Sequence, residues 1–266
     1  MHEDICQVAE QKRVTMILLP FHKTWRKQED GEVKVETVGH GWREVSRRVM
    51  NKAPCTVAVI VDRGFGENEG GGDRVCVVFF GGPDDREALE LGARMADHPA
   101  VKVTVIRLVE NNGRDNTTVM LRPSPEKCSE SNYTFSVAAM NREEERVLDN
   151  TTMAEFRSKW EGQVEFMERE ANNIEEAVLS LGRSGAYDLM VVGKGRFPST
   201  MVAGLAERQA EHAELGPIAD ILSSSSSDVA SSVLVVQQHD LAHAEEVPVC
   251  KVVHNENAEE DVCNQV

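Results

Sequence analysis

The sequence has no long apolar run, no excess of basic residues and no closely spaced cysteine pair. Without a stretch of about 18 apolar residues, no membrane-spanning helix is expected, and the first residues lack the features of a signal peptide. Basic residues number 29 against 45 acidic ones, and the net charge of −16 opposes attraction to nucleic acid or an anionic membrane surface. The six cysteines have no metal-binding spacing, so we expect reduced thiols in a soluble, cytosolic chain.

The clearest local pattern that is present is a strand followed by a helix. Val75–Phe80 is β-branched and aromatic, which is typical of a strand buried on both faces, and a Gly-Gly-Pro turn ends it. Asp84, with Glu87 three residues later, predicts a capped start for the helix. A second strand-like run, Val101–Val109, follows. This order predicts a βαβ crossover and therefore an α/β fold, a parallel sheet with flanking helices.

Similar patterns predict the other elements. An apolar stripe at alternating steps of three and four, from Trp160 to Leu181, predicts one long amphipathic helix. Residues 26–41 and 110–141 are predicted to be loops, the second with a short strand around Tyr133–Ala138. The remaining predicted strands are Val14–Pro20, Thr56–Val61, Tyr187–Val192 and Ser232–Val236, and the remaining predicted helices are 3–12, Trp42–Met50, 201–213 and Pro217–Leu222.

A Gly-rich stretch at residues 64–72 divides these elements into two parts. Residues 1–63 supply two strands, too few to be stable alone in water, and we interpret them as the carboxyl-terminal part of a first unit. Residues 73–238 supply a complete second unit. Residues 239–266 are rich in Glu, Asp and Asn, and we expect them to form a disordered acidic tail.

Candidate ligand-binding residues follow two of the predicted strands, because ligands of α/β sheets bind at the carboxyl ends of strands. Glycine amides and basic side chains there could hold phosphate, and carboxylates could contact a ribose or Mg²⁺. A tight turn and helix capping explain the same residues without a ligand. The candidates are Gly193, Lys194, Gly195 and Arg196 after one strand and Asp84 and Asp85 after the other.

Three histidines, His22, His98 and His239, lie at the ends of predicted elements. Their titration near neutral pH makes them candidates for pH sensing, although such histidines are commonly structural or solvated. No metal spacing joins them, and no nucleophile, base and orienting group can be assembled, so neither a metal site nor an active site is predicted. The tract Ser223–Ser227 is a candidate for phosphorylation or a flexible loop.

Six segments carry a resemblance to a known family. They are Met1–Cys6, Met16–Lys23, Ala53–Gly64, Phe79–Leu89, Glu214–Asp220 and Ser232–Asp240. In their order and length they resemble the cytosolic carboxyl-terminal region of plant cation/proton antiporters, the cation/H⁺ exchanger family. The resemblance implies two universal-stress-protein-like units, of which this sequence begins midway through the first.

The resemblance also implies a partner, the membrane domain of the same antiporter, which exchanges K⁺ or Na⁺ for H⁺ and lies outside this sequence. We therefore expect a regulatory domain on the cytosolic face of a membrane, without catalytic activity, that contributes to potassium and pH homeostasis. A freestanding nucleotide-binding universal stress protein is one alternative, and a dimerisation domain that forms a homodimer is another.

An adenine nucleotide is the cofactor that the resemblance suggests. Nucleotide-binding universal stress proteins carry the pattern Gly-x2-Gly-x9-Gly, followed by Ser or Thr, after their fourth strand. Here Gly193 and Gly195 are followed by Gly204, and the first unit has no glycine at the corresponding place. The spacing therefore does not favour nucleotide binding in the manner of that family.

Overall fold

The computed structural model describes residues 1–27, 33–37, 39, 41–66, 72–110, 130–195, 202, 205, 210–224 and 227–239. In chain order the elements are α1 (His2–Lys12), β1 (Met16–Pro20), β2 (Lys23–Lys27), β3 (Val33–Thr37), α2 (Trp42–Lys52), β4 (Thr56–Val61), β5 (Asp73–Phe79), α3 (Pro83–Ala96), β6 (Val101–Glu110), α4 (Glu130–Lys159), β7 (Val164–Ala171), α5 (Ile174–Arg183), β8 (Leu189–Gly193), a 3₁₀ turn (Ala213–Leu215), α6 (Pro217–Ser223) and β9 (Ser232–Gln237).

A seven-stranded sheet in the order β1-β4-β9-β8-β5-β6-β7 forms the centre of the molecule. Neighbouring strands run parallel except β4 and β9, which pair antiparallel with Val59 opposite Val235. The predicted βαβ crossover is confirmed, because β5 and β6 are parallel neighbours joined by α3. The predicted fold class is also confirmed: a mostly parallel sheet with flanking helices.

The sheet is covered on both faces, and alternate residues of each strand enter different cores. Val57, Val59 and Val61 of β4 pack on one face with apolar residues of α1, α2, α5 and α6, whereas Ala58 packs on the other. That second face carries α3 and α4, which contribute residues such as Leu89 and Phe156. Because β4 and β9 share both cores, residues 1–63 dock on the rest of the chain through this strand pair.

The predicted long helix from Trp160 to Leu181 is wrong. The structure ends α4 at Lys159, places strand β7 in the middle of the stripe and begins α5 at Ile174. Gly162 has a φ of +79°, a left-handed conformation that interrupts a helix at little cost only for glycine. The apolar residues that recur at steps of three and four therefore belong to a turn, strand β7 and helix α5, not to one helix.

Two predicted loops contain regular structure. The segment 26–41 includes part of a β2–β3 hairpin, paired antiparallel with Trp25 opposite Val35. The strand predicted at Tyr133–Ala138 is helical, because it lies within α4. Of the predicted helix 201–213, the described residues are 202, 205 and 210–213, and its predicted end is wrong, because residues 210–212 are not helical and Ala213 begins the 3₁₀ turn. The predicted tail 239–266 lies outside the described residues except for His239. The division of the chain near residues 63 and 73 stays a prediction.

Among the helices that the structure describes, none combines the length and the apolar character needed to cross a bilayer.

Candidate functional site

The carboxyl ends of β5 and β8 are joined by the side chain of Asp85. Its Oδ2 accepts hydrogen bonds from the amides of Phe80, at 2.6 Å, and Gly81, at 2.9 Å. Its Oδ1 accepts from the amide of Gly193 at 3.0 Å. Burial raises the pKa of Asp85 to about 7, against the opposing effect of these amides. A carboxyl group that the sequence offered as a ligand is thus engaged with the backbone of two strands.

Asp84 does not cap α3 as predicted. The helix begins at Pro83 with Gly82 as its N-cap, two residues before the predicted cap, and no side chain caps it among the described residues. The Oδ1 of Asp84 instead accepts from the amide of Gln238 at 2.8 Å, beyond the end of β9. The predicted capping box is wrong as well, because Asp84 is not the N-cap. Oε1 of Glu87 instead accepts a hydrogen bond from the hydroxyl of Thr56 at 3.1 Å.

Gly193 is the point at which β8 contacts the start of α3. A Cβ atom there would lie 2.7 Å from the amide nitrogen of Asp85 and 2.8 Å from the carbonyl carbon of Asp84, closer than real Cβ contacts. Glycine is therefore required by packing, which explains this residue without a phosphate.

The rest of the glycine segment continues this pattern of internal contacts. The amide of Lys194 donates to the carbonyl of Val236 at 2.8 Å, and its Nζ donates to Oε1 of Gln237 at 2.9 Å. Gly195 has a φ of +71°, and Arg196 lies outside the described residues. Among the described residues, the amides and carboxylates at this edge bond one another. Ligand binding by this segment stays a prediction.

His22 lies in a polar cluster that the sequence did not reveal. Its Nδ1 is 3.8 Å from Oε1 of Glu214, and Nδ1 of His212 is 4.0 Å from the same oxygen. The two imidazole rings meet nearly edge to face, with centroids 5.3 Å apart. The side chains of His22, His212 and Glu214 are 11%, 2% and 8% exposed, so the three groups are largely withdrawn from water.

Charged residues surround this cluster, which we call the junction cluster: His22, His212 and Glu214. Nζ of Lys23 is 2.8 Å from Oε1 of Glu211 and 3.2 Å from Nε2 of His212. Arg43 donates to Oε2 of Glu214 at 2.7 Å. Burial is the main cause that lowers the pKa of both histidines, followed by the other histidine for His22 and by Lys23 for His212. Both imidazoles therefore favour the neutral form.

The junction cluster joins distant parts of the chain. His22 follows β1, whereas His212 and Glu214 adjoin the 3₁₀ turn before α6, about 190 positions later. No local spacing could reveal this pairing. The one signal was indirect: Met16–Lys23 and Glu214–Asp220 were both among the segments that carried the family resemblance.

Arg63 is a second link across the same junction. Its guanidinium donates to the carbonyl of Ser231 at 2.9 Å and to that of Leu222 at 2.8 Å. It also lies 4.6 Å from the ring centroid of Trp25, in cation–π contact. Burial lowers the pKa of Arg63 to about 10, so the group remains charged at neutral pH. One side chain thus ties β2, the end of β4, the end of α6 and the start of β9 together.

The other candidates lie elsewhere. His98 is exposed before the amino end of β6, and its Nδ1 accepts from the amide of Ala100 at 3.3 Å. His239 follows β9 and is half-buried. Because β6 and β9 run in the same direction, these two histidines lie at opposite ends of the sheet. The structure therefore does not gather the three predicted pH-sensing histidines, and their role stays a prediction.

The described serines of the tract, Ser223, Ser224 and Ser227, are buried or half-buried. Ser223 and Ser227 are buried, and the hydroxyl of Ser227 donates to the carbonyl of Ser224 at 2.7 Å. Phosphorylation of these two serines would require the segment to open.

Two family models match the chain. Residues 1–65 match the model described as plant cation/H(+) antiporter domain, and residues 72–237 match the one described as plant cation/H(+) antiporter, C-terminal domain. The curated relatives from Arabidopsis thaliana include cation/H(+) antiporter 20, with 53% identity over 95% of this chain and 32% of that protein. They also include cation/H(+) antiporter 28, with 37% identity over 90% of this chain and 29% of that protein. The chain thus spans about a third of the length of these relatives.

The similar solved structures include universal stress proteins. One is from Archaeoglobus fulgidus, with 13% identity, 90% of this chain and 66% of that chain covered, and a TM-score of 0.42. Another, from Pseudomonas aeruginosa, has 12% identity, 88% of this chain and 67% of that chain covered, and a TM-score of 0.40.

Proposed function

Because the chain belongs to the plant cation/H(+) antiporter family, we propose that it forms the cytosolic regulatory part of an antiporter that exchanges K⁺ or Na⁺ for protons. Its partner is the membrane domain of the same protein, and its role is to contribute to potassium and pH homeostasis. It performs no catalysis of its own. The match of residues 72–237 to a C-terminal antiporter domain is the observation that carries this proposal.

The alternative of a freestanding nucleotide-binding protein receives no support from the comparisons. Both parts of the chain match antiporter models, and the curated relatives named above are much longer antiporters. In the described residues, Asp84 and Asp85 bond the backbone amides of Gln238 and Gly193.

The junction between the two parts supplies a physical route for regulation. Residues 1–63 hold the rest of the chain through the β4–β9 pair, Arg63 and the junction cluster. A protein with two packings that differ by a few kcal/mol responds to any condition that favours one of them, and we propose that this junction has two such packings. A change of packing at this junction would alter the relative positions of the parts of the antiporter that are attached to it, including the membrane domain.

We also expect the chain to form a homodimer. The molar mass of the chain in solution tests this expectation.

Removal of this region tests the proposed function. In a full-length antiporter carrying this sequence, deletion of these residues should change how the rate of K⁺/H⁺ exchange in sealed vesicles depends on pH and on K⁺ concentration. Exchange itself should persist, because the transporting part is retained. Rates are compared at equal amounts of antiporter in the membrane. Identical pH and K⁺ profiles with and without the region would refute a regulatory role.

A further inference from the structure

We infer that the junction cluster is a binding site for a divalent transition metal ion, with Zn²⁺ as the ion that its donor atoms favour. Two imidazole nitrogens and one carboxylate oxygen converge there: Nδ1 of His22, Nδ1 of His212 and Oε1 of Glu214. All three atoms lie within 4.8 Å of one another. Two histidines and a glutamate are a donor set that binds Zn²⁺, with a fourth position left for water.

Two of these donors are buried without a hydrogen-bond partner. Nδ1 of His212 and Oε1 of Glu214 make no hydrogen bond with any described residue, although both side chains are more than nine-tenths buried. Leaving a buried polar atom without a hydrogen bond is unfavourable, so two such atoms facing one another need an explanation. A shared metal ion would satisfy both with small rotations of the side chains.

The groups around the donors orient them for a metal. Nε2 of His212 lies 3.2 Å from Nζ of Lys23, which can only donate and favours a lone pair on Nε2, and 3.3 Å from Oε1 of Glu211. A metal ion at Nδ1 selects the other tautomer, in which Nε2–H donates to Oε1 of Glu211. In that tautomer Nδ1 carries the free lone pair and faces Glu214. Metal-binding histidines commonly donate their second nitrogen to a carboxylate in this way. Arg43 bonds the other oxygen of Glu214 at 2.7 Å and so holds the carboxylate in place while Oε1 stays available.

The charges beside the site are balanced and set a limit on affinity. Among the described residues, Lys23 and Arg43 contribute two positive charges, and Glu211 and Glu214 contribute two negative ones. The ammonium of Lys23, 3.2 Å from Nε2 of His212, repels a second cation nearby. Lys23→Gln should therefore tighten metal binding several-fold, an effect that a purely structural role for Lys23 would not produce.

A metal at this place would bridge the junction. His22 belongs to the part of the chain before the Gly-rich stretch, whereas His212 and Glu214 belong to the part after it. An ion that binds all three donors would favour the closed packing of these two parts over any looser one, because only the closed packing brings the donors together.

The test uses the full 266-residue chain with Zn²⁺ and, as a spectroscopic probe, Co²⁺. Titration calorimetry should show binding of Zn²⁺ that is weakened at least about tenfold in each of His22→Gln, His212→Gln and Glu214→Gln. His98→Gln, at an exposed histidine outside the cluster, is the matched control and should bind as the wild type does. The Co²⁺ complex should show visible bands of nitrogen and oxygen ligands without the near-ultraviolet band of thiolate ligands.

The Co²⁺ spectrum of the unmodified protein stands independently of the variants, so a variant that fails to fold leaves the proposal testable. Absence of Zn²⁺ binding to the wild type would overturn the proposal. A thiolate band that accounts for the bound Co²⁺ would also overturn it, by assigning the metal to cysteines. Unchanged affinity in all three cluster variants would do the same, by placing the ion elsewhere in the chain.

Discussion

Arg63→Ala is expected to lower the free energy of unfolding by about 3 kcal/mol. The substitution removes two charged hydrogen bonds to main-chain carbonyls, those of Leu222 and Ser231, and the cation–π contact with Trp25. These contacts link both sides of the junction, so their loss should also increase amide hydrogen exchange in β4 and β9. Urea unfolding of the two proteins, followed by circular dichroism, measures the difference.

Arg47→Ala is the matched control for this experiment. Arg47 is exposed and, among the described residues, its side chain pairs only with Glu44, one turn earlier on α2. Exposed pairs of this kind contribute little to stability, so the control should unfold close to the wild-type midpoint. Arg63→Lys keeps the positive charge but loses the planar fork that reaches two carbonyls, and we expect it to be destabilised as well. Equal stability of Arg63→Ala and the wild type would show that Arg63 does not hold the junction.

Asp85→Asn is expected to remove a strong pH dependence of stability. The pKa of Asp85 is about 7 in the folded protein, whereas an aspartate in an unfolded chain ionises near pH 4. Between these values the folded state holds one proton more than the unfolded state. The free energy of unfolding therefore decreases as the pH rises from about 4 to about 7, by about 4 kcal/mol through this group alone. Below about pH 4 the stabilisation through the protonated Asp85 carboxyl is fully present, and above about pH 7 it is fully lost.

The variant carries a neutral amide at all pH values and lacks this dependence. The measurement is the difference in free energy of unfolding between wild type and Asp85→Asn, taken at intervals from pH 4 to pH 8. That difference should decline with rising pH and level off near pH 7. Parallel profiles for the two proteins across this range would contradict the assignment of a raised pKa to the buried Asp85 carboxyl.

The sequence predicted most of the central sheet correctly because its strands are buried on both faces. Val75–Phe80, Thr56–Val61 and Ser232–Val236 are mostly apolar runs rich in β-branched residues, and each corresponds to a strand within one residue at the carboxyl end. Parallel strands buried on both sides have this composition, whatever surrounds them. The short helix predicted at Pro217–Leu222 is also confirmed, as α6, which begins at Pro217.

The failures occurred where burial is one-sided or partial. β7 is an edge strand with mostly half-buried or exposed residues, and its sparse apolar positions fitted a helical repeat equally well. The hairpin strands β2 and β3 form a separate two-stranded sheet rich in charged residues, so they resembled a loop. In such segments the hydrophobic pattern carries too little information to decide the type of element.

The candidate sites show the same limit. Asp85 and Gly193 were expected near the same edge, because sheet topology brings the carboxyl ends of parallel strands together, and their contact is 3.0 Å. His212 was not identified, because its partner His22 follows β1 and only the tertiary fold brings the two rings together. Arg63 was not identified for the same reason, since its acceptors are backbone carbonyls that no sequence pattern specifies.

The most direct test of a regulatory role that acts through the junction is K⁺/H⁺ exchange by a full-length antiporter carrying this sequence. The rate is measured in sealed vesicles across pH and K⁺ concentration, for the wild type, Arg63→Ala and Arg47→Ala, at equal amounts of protein in the membrane. We predict that Arg63→Ala shifts the pH or the K⁺ concentration of half-maximal exchange, whereas Arg47→Ala follows the wild type. Superimposable profiles for all three, while hydrogen exchange shows the junction opened in Arg63→Ala, would contradict the account.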